Sequence, residues 1–151
     1  MRRPLAGRGK RHACMQLYGR LLADYMDEPS NLFVFSSDFC HWGRRFDYMH
    51  HDTRLPIYKS IEALDRQGMK IIEDGDPAAF TAYLAQYGNT ICGRHPIGIF
   101  LNMTQSCQTR FATRFTQYAQ SSRATTSSDS SVSYATAVCF AANDPPAQDA
   151  A

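Results

Sequence analysis

The run NLFVF at residues 31–35 constrains the fold more than any other part of the sequence. It is continuously apolar, partly β-branched and of strand length, which is typical of a strand buried on both faces. The polar stretch SSDFCHWG at residues 36–43 follows at once. We therefore expect this stretch to lie at the carboxyl end of a buried strand, which is where α/β sheets usually place their ligands.

Helical patterns surround this run. Leucines and a tyrosine at helical spacing predict a helix over residues 14–27, and a similar rhythm predicts another over residues 57–73. Asp76 as N-cap and Pro77 at the first helical position predict the start of a third. The sequence turns apolar after Pro96, which suits the first turn of a fourth helix.

Two further segments favour strands. Residues 111–119 alternate in side-chain type, residues 130–140 are rich in β-formers, and the small polar residues 121–131 read as their connection. Strands and helices in this order predict an α/β fold, with a mixed sheet flanked by helices. Three strands make a thin sheet, since about four to six are usual.

The charge is unevenly distributed along the chain. The 151 residues are 44% hydrophobic and 20% charged, which suits one domain. Five of the sixteen Lys and Arg residues lie in the first eleven positions, leaving eleven basic residues against fourteen acidic ones. A basic start can bind nucleic acid or membrane phosphates, or resemble a transit peptide. We interpret residues 1–14 as a basic unstructured start and residues 141–151 as a disordered tail, and we expect no nucleic-acid partner.

Cysteine usage and hydropathy indicate the compartment. Five widely spaced cysteines without a C-x-x-C pair argue against a disulfide framework and a zinc finger, and suit a reducing compartment. No apolar run approaches the roughly 18 residues of a membrane span, and no secretory h-region is present. We expect a cytoplasmic protein without a membrane span.

Asp38, Cys40 and His41 are site candidates by their position after the predicted strand. In an extended chain Asp38 and Cys40 would point to one side and His41 to the other, although a turn would change this. We interpret Cys40 as buried packing. For His41, a structural and a catalytic role both remain open.

The segment NTICGRHPIG at residues 89–98 is the second unusual stretch. Cys92 precedes Gly93, Arg94 and His95 at a predicted helix entrance. The helix dipole and nearby cations favour a thiolate there. A thiolate is both a nucleophile and a soft metal ligand.

Several blocks of this sequence resemble the C-terminal half of the Memo family, which is named for mediating receptor-tyrosine-kinase-driven cell motility. The blocks follow in order across residues 15–136 with their spacing preserved, so we expect residues 15–140 to form the C-terminal part of a Memo-like domain. They are SNLFVFSSDFCHWGRRF (30–46), IYKSIEALDRQGMKIIE (57–73), NTICGRHPIG (89–98), YAQSS (118–122) and DSSVSYA (129–135).

The resemblance implies a fold related to the class III extradiol dioxygenases, which use non-haem iron. It also implies binding of iron or copper through two histidines and one cysteine, a role in redox chemistry, and binding of phosphotyrosine peptides of receptor kinases through the same pocket.

The resemblance also implies roles for particular residues. Cys92 matches the metal-ligating cysteine, His41 matches an acid/base histidine, and Asp38 matches a pocket acid. Arg45 matches a pocket arginine suited to a phosphate or carboxylate, and Trp42 would line the same pocket.

In the family, both histidine ligands belong to the N-terminal half, which this sequence does not match. We therefore expect this chain alone not to bind the metal. NLFVF would also lose part of its cover, leaving an apolar face exposed or an edge unpaired. Three functions remain open: a partial copy of a metal-binding redox and cell-motility signalling protein, a non-catalytic phosphotyrosine-peptide-binding module, and an inactive truncated copy.

Overall fold

The computed structural model describes the backbone of residues 6–142 and the side chains of residues 13–142. Its three strands form one antiparallel sheet in the order β1-β3-β2. The predicted α/β class is confirmed, but the described sheet is antiparallel rather than mixed. The elements are α1 Ala6–Asp27, β1 His41–Trp42, a 3-10 turn at Arg44–Phe46, α2 Ile57–Glu73, α3 Pro77–Tyr87, α4 Arg94–Ser106, β2 Phe111–Gln120 and β3 Ser131–Ala141.

The helices start and end largely where local signals predict. α2 has the predicted bounds, and α3 begins at Pro77 with the Asp76 carboxylate accepting hydrogen bonds from the N–H groups of Ala78 and Ala79. These bonds satisfy N–H groups that have no partner within the helix. α4 begins at Arg94, so Pro96 lies in its first turn as expected.

α1 begins at Ala6, earlier than the predicted start at residue 14. Residues 6–14 are thus helical, although they were expected to be unstructured; residues 1–5 and 143–151 lie outside the described residues. Gly19 marks the crossing of α1 and α4, because an added Cβ would stand 2.6 Å from Asn102 Cβ. The glycine weakens the helix by roughly 1 kcal/mol relative to alanine but permits this close packing. None of the helices among the described residues is long and apolar enough to cross a membrane.

The predicted strand over residues 31–35 is wrong, because this segment pairs with no other strand of the described chain. The chain joins the sheet only later, where β1 pairs with Ser131 and Val132. Leu32 and Val34 are 88% and 82% exposed. The apolar run therefore has a strand-like composition but no strand partner among residues 6–142.

The core consists of two adjoining clusters. The larger one lies between the helices and the β2–β3 hairpin and contains Phe39, Phe80 and Leu101, and the smaller one contains Cys40 and Trp42. Because Phe39 and Cys40 are neighbours in the chain but pack into different clusters, the segment that leads to His41 is anchored on both sides.

Gly43 follows β1 in a conformation that side chains rarely adopt, with φ at 127°. An added Cβ would also stand 2.7 Å from Ser130 Cβ and 2.9 Å from the Asp129 carbonyl oxygen. We predict that Gly43→Ala lowers the free energy of unfolding by roughly 2–4 kcal/mol, through backbone strain and this overlap. Urea denaturation measures the loss.

Gly75→Ala is the control for Gly43→Ala, since Gly75 has φ at 69° but nothing within 4 Å of an added Cβ. It should cost only about 1 kcal/mol. Equal losses for the two variants would show that the contact with residues 129–130 contributes nothing.

Candidate functional site

Two segments, which we call the site loops, are held together at the candidate site: residues 36–43, which include the short strand β1, and residues 89–93. The backbone N–H of His41 donates to Thr90 Oγ1 at 2.7 Å, and the same hydroxyl donates to the His41 carbonyl oxygen at 3.0 Å. Thr90 therefore contributes both a donor and an acceptor to one residue, much as a paired strand would. This bond pair sets where His41 lies relative to the loop that carries Cys92.

Cys92 lies beside the start of the first loop. The Asp38 N–H donates to Cys92 Sγ at 3.1 Å, and the Gly93 N–H donates to Ser37 Oγ at 3.0 Å. An added Cβ on Gly93 would be 2.4 Å from Ser37 Cβ, so glycine allows the two loops to meet. The thiol is exposed. Its sulfur is thus held at the surface, next to Asp38.

The ring of His41 has a defined tautomer when neutral. Its Nδ1 lies 3.0 Å from the Phe39 carbonyl oxygen and 3.1 Å from that of Thr90. Because carbonyl oxygens only accept hydrogen bonds, the proton is on Nδ1 and Nε2 carries the free electron pair. Nε2 is 3.7 Å from Asp38 Oδ2. The ring therefore presents a basic nitrogen beside a carboxylate that can stabilise a captured proton.

Asp38 and His41 lie on the same side, so the alternation of an extended chain does not hold here. Cys40 points the other way and is completely buried. Burial raises the pKa of the Cys40 thiol, and the nearby Asp65 carboxylate adds to the effect. Cys40 is therefore a packed thiol rather than a nucleophile, which confirms its interpretation as a core residue.

The two residues expected to meet a phosphopeptide are placed very differently. Trp42 is 0% exposed, and its indole N–H donates to the His50 carbonyl oxygen at 3.0 Å. Arg45 is exposed and lies over the Phe46 ring, 4.4 Å from its centroid. Phe46 in turn contacts the His41 ring edge-on at 5.2 Å between centroids. Phe46, which the sequence did not single out, is the aromatic residue beside the site, whereas Trp42 belongs to the core.

Cys92 is the predicted metal ligand of the site. Within residues 13–142, no group of three or more His, Cys, Asp or Glu side chains is placed to hold a metal ion. Transition-metal sites usually combine three or four ligands. Cys92 can serve as one ligand, and the remaining ligands would have to come from outside the described chain.

The buried carboxyl group of Asp65, in α2, accepts hydrogen bonds from both loops. Its Oδ1 accepts from the Cys40 N–H at 3.3 Å and from Asn89 Nδ2 at 3.0 Å, and its Oδ2 accepts from the Tyr118 hydroxyl at 3.0 Å. Cys40 precedes His41 and Asn89 precedes Thr90, so one carboxyl group fixes the approach of both loops. A signal was available in the sequence, since Asp65 is an acid on the buried face of α2 beside Leu64 and Met69.

Asp65 is 0% exposed, and burial raises the pKa of its carboxyl group, although its hydrogen-bond donors oppose that shift. A pKa raised above the unfolded value of 3.8 means that the folded state binds the proton more tightly. The contribution of protonated Asp65 to the free energy of unfolding is therefore fully present below pH 3.8. It is lost as pH rises through the pKa of Asp65 in the folded state.

We predict that Asp65→Asn, which cannot titrate, becomes relatively more stable than the parent as pH rises above 3.8. Urea unfolding of both proteins between about pH 3 and pH 7 measures this difference. A difference that does not change with pH would contradict the prediction.

Asp129→Asn is the matched control for Asp65→Asn. The N–H groups of Thr125 and Thr126 lower the pKa of Asp129. The contribution of ionised Asp129 to the free energy of unfolding is therefore present at higher pH, and it is lost as pH falls through the pKa of Asp129 in the folded state. The pH trend of this variant relative to the parent should have the opposite sign.

We predict that Thr90→Val lowers the free energy of unfolding by about 1–3 kcal/mol, because the partly buried His41 N–H loses its acceptor. Thr90→Ser keeps the hydroxyl and loses only a methyl group, at a cost of about 1 kcal/mol or less. Urea denaturation compares the two variants. A valine variant no less stable than the serine variant would show that the hydroxyl does not hold the loops together.

Comparison with known proteins identifies the family. The family model described as Memo-like protein matches residues 4–138. Protein MEMO1 of Rattus norvegicus and that of Homo sapiens are each 53% identical over 124 residues, which cover 80% of this chain and 42% of the relative. The memo-1 homolog of Caenorhabditis elegans is 49% identical over 131 residues, covering 83% of this chain and 37% of the relative.

The matches cover most of this chain but only part of each relative. The family match begins at residue 4, so most of the basic stretch lies within it. The aligned segment covers less than half of each of these relatives. With a family match over most of its length and relatives at this identity, the chain belongs to the Memo-like protein family.

Proposed function

We propose that this chain supplies the cysteine side of a metal-binding redox site of the Memo type, and that it acts in cytoplasmic signalling linked to receptor-driven cell motility. The metal would be iron or copper. The observation that carries the proposal is that two separate loops, joined through Thr90, bring the exposed Cys92 sulfur and the His41–Asp38 pair to one surface. The five cysteines, all without disulfides, are compatible with a reducing compartment.

In this proposal His41 acts as the acid/base residue. Its Nδ1–H is occupied by two carbonyl oxygens, so Nε2 is the nitrogen that can take a proton from a bound substrate. Asp38 Oδ2, at 3.7 Å, would stabilise the resulting imidazolium. With 21% of its side chain exposed, His41 is open enough to meet a substrate yet anchored through its other nitrogen.

Cys92 would provide the thiolate ligand. Its sulfur already accepts a hydrogen bond from the Asp38 N–H, and such bonds orient a thiolate and help stabilise its charge. The other two ligands, which the family resemblance assigns to histidines of the N-terminal half, would come from outside the described residues. The described residues alone would therefore bind the metal weakly.

Binding of a phosphotyrosine peptide is the second candidate. The exposed Arg44 and Arg45 guanidinium groups follow the site loop directly, and Phe46 lies between Arg45 and His41. A phosphate would bind Arg45, and the peptide would contact Phe46 rather than the buried Trp42. This function would not require Cys92.

The two candidates are separated by Cys92→Ser and Arg45→Ala in the chain co-expressed with the MEMO1 segment that lies outside the alignment. For the redox proposal, we predict that Cys92→Ser weakens iron or copper binding by at least about 100-fold, because one of few ligands is lost. Cys14→Ser, at another exposed cysteine, is the control and should bind metal normally. Metal titration followed by elemental analysis measures both.

Redox activity should follow metal content, and His41→Asn should lower activity by about 100-fold or more while metal remains bound. If Arg45→Ala removes phosphopeptide binding while Cys92→Ser changes neither metal content nor activity, the peptide-binding function replaces the redox proposal. Absence of metal, activity and peptide binding in every preparation would leave an inactive copy.

A further inference from the structure

We propose that the cavity between α3 and the start of α4 binds a small organic acid, whose anionic group pairs with Arg94 and whose N–H or O–H donates to Asn89 Oδ1. We call it the α3–α4 cavity. The described residues that line it do not include Cys92, Asp38 or His41. The inference therefore goes beyond the proposed function, and its test does not depend on metal.

The α3–α4 cavity has the size and the lining of a small-molecule site. Its volume is about 420 Å³, within the range that such sites usually occupy. One wall is a face of α3, where Phe80, Leu84 and Ala85 recur at helical spacing. A second wall consists of residues 89–90 and the first turns of α4. The cavity thus offers apolar surface from α3 and polar groups from the segment that leads into α4.

Asn89 lines this cavity and carries an acceptor without a donor. The residue is 3% exposed, and its Nδ2 donates to Asp65 Oδ1 at 3.0 Å and to the Tyr83 hydroxyl at 2.7 Å. That hydroxyl donates its one proton to the Leu64 carbonyl oxygen, so it must accept from Asn89 and the amide nitrogen must face it.

The orientation of the Asn89 amide leaves Oδ1 on its other arm, where it has no hydrogen-bond partner among the described residues. A buried acceptor without a donor costs about 1–3 kcal/mol. A ligand N–H or O–H that reaches Oδ1 would remove this cost. The unpaired oxygen therefore indicates that the ligand carries a hydrogen-bond donor.

The charge around the cavity favours an anion. The exposed Arg94 and His95 line it, whereas none of the described lining residues is Asp or Glu. An Arg94 N–H donates to the Ile91 carbonyl oxygen at 3.0 Å, which positions the guanidinium group. Because a guanidinium has five N–H donors, it can keep this bond and bind a carboxylate as well. The start of α4 adds the positive end of the helix dipole, with no acidic residue in its first turn.

These features together define the chemistry of the ligand. Its anionic group would pair with Arg94, its apolar part would bury surface against Phe80 and Leu84, and its donor would reach Asn89 Oδ1. An inorganic anion would use only the first of these contacts, and a neutral hydrocarbon only the second. The ligand class is therefore a small organic acid with an apolar body and a hydrogen-bond donor.

The test is an NMR titration of the full, isotope-labelled chain with para-aminobenzoate and with the longer para-aminophenylacetate. Each has a carboxylate, an apolar ring and an N–H donor. We expect saturable binding of at least one acid, with the largest shifts at the Asn89 side-chain amide and at the backbone amides of Arg94 and His95. The matching para-methyl acid lacks the donor and the matching para-amino amide lacks the charge, so each should bind at least about 10-fold more weakly.

Variants at one exposed position of α3 locate the bound acid. Ala85 lines the cavity, so Ala85→Glu should bind the acid at least about 5-fold more weakly than the uncharged Ala85→Gln, which has nearly the same shape. Gln86→Glu is the matched control, because the exposed Gln86 is the next residue but does not line the cavity. It should change the affinity by no more than about 2-fold. Arg94→Gln should weaken binding by at least about 10-fold. Circular dichroism checks that each variant keeps its fold.

Absence of saturable binding of both acids up to about 10 mM would overturn the proposal. So would binding that Ala85→Glu and Arg94→Gln leave unchanged. Shifts centred on Arg45 and Phe46 would also overturn it, because the acid would then lie beside His41 rather than in the α3–α4 cavity. Since metal content does not enter this experiment, its failure leaves the redox proposal standing, and failure of the redox proposal leaves this one standing.

Discussion

The buried carboxyl group of Asp65 is the interaction on which the rest of the site depends. It accepts hydrogen bonds from the backbone N–H of Cys40, next to His41, and from the side-chain amide of Asn89, next to Thr90. It therefore holds together two loops that are distant in sequence. A buried acid requires such donors, because an unpaired one would cost several kcal/mol. Within this frame, the Thr90 hydroxyl can bond to His41, and Cys92 comes to lie beside Asp38.

The exposed apolar segment 31–36 and the site are neighbours in the structure, since Ser37 lines the groove beside the segment and contacts Cys92 and Gly93. The segment 31–36 leads directly into the site loop, and it exposes Leu32 and Val34 with no strand beside it among residues 6–142. Cys92 is held at the surface with no further pair of metal-binding side chains arranged around it in residues 13–142.

Much of the helical structure could be predicted because its signals are local. The Asp76 cap with Pro77 and the apolar rhythm of residues 57–73 act over one or two turns, and both helices have the predicted starts. The burial of Cys40 was likewise predictable from its apolar neighbours. The strand expected at residues 31–35 was not a local property: its composition is that of a strand, but a ladder also requires a neighbour at about 4.8 Å.

The sequence alone determined the family, the helices and the residue types available for chemistry at positions 38, 41 and 92, because these depend on identity and short-range spacing. Tertiary structure decided which of them meet. It turned Asp38 toward His41, placed Trp42 in the core with Phe46 beside the site, and recruited Asp65, Thr90 and Ser37 as supports. Those outcomes depend on hydrogen bonds between residues far apart in the chain, which spacing along one segment does not encode.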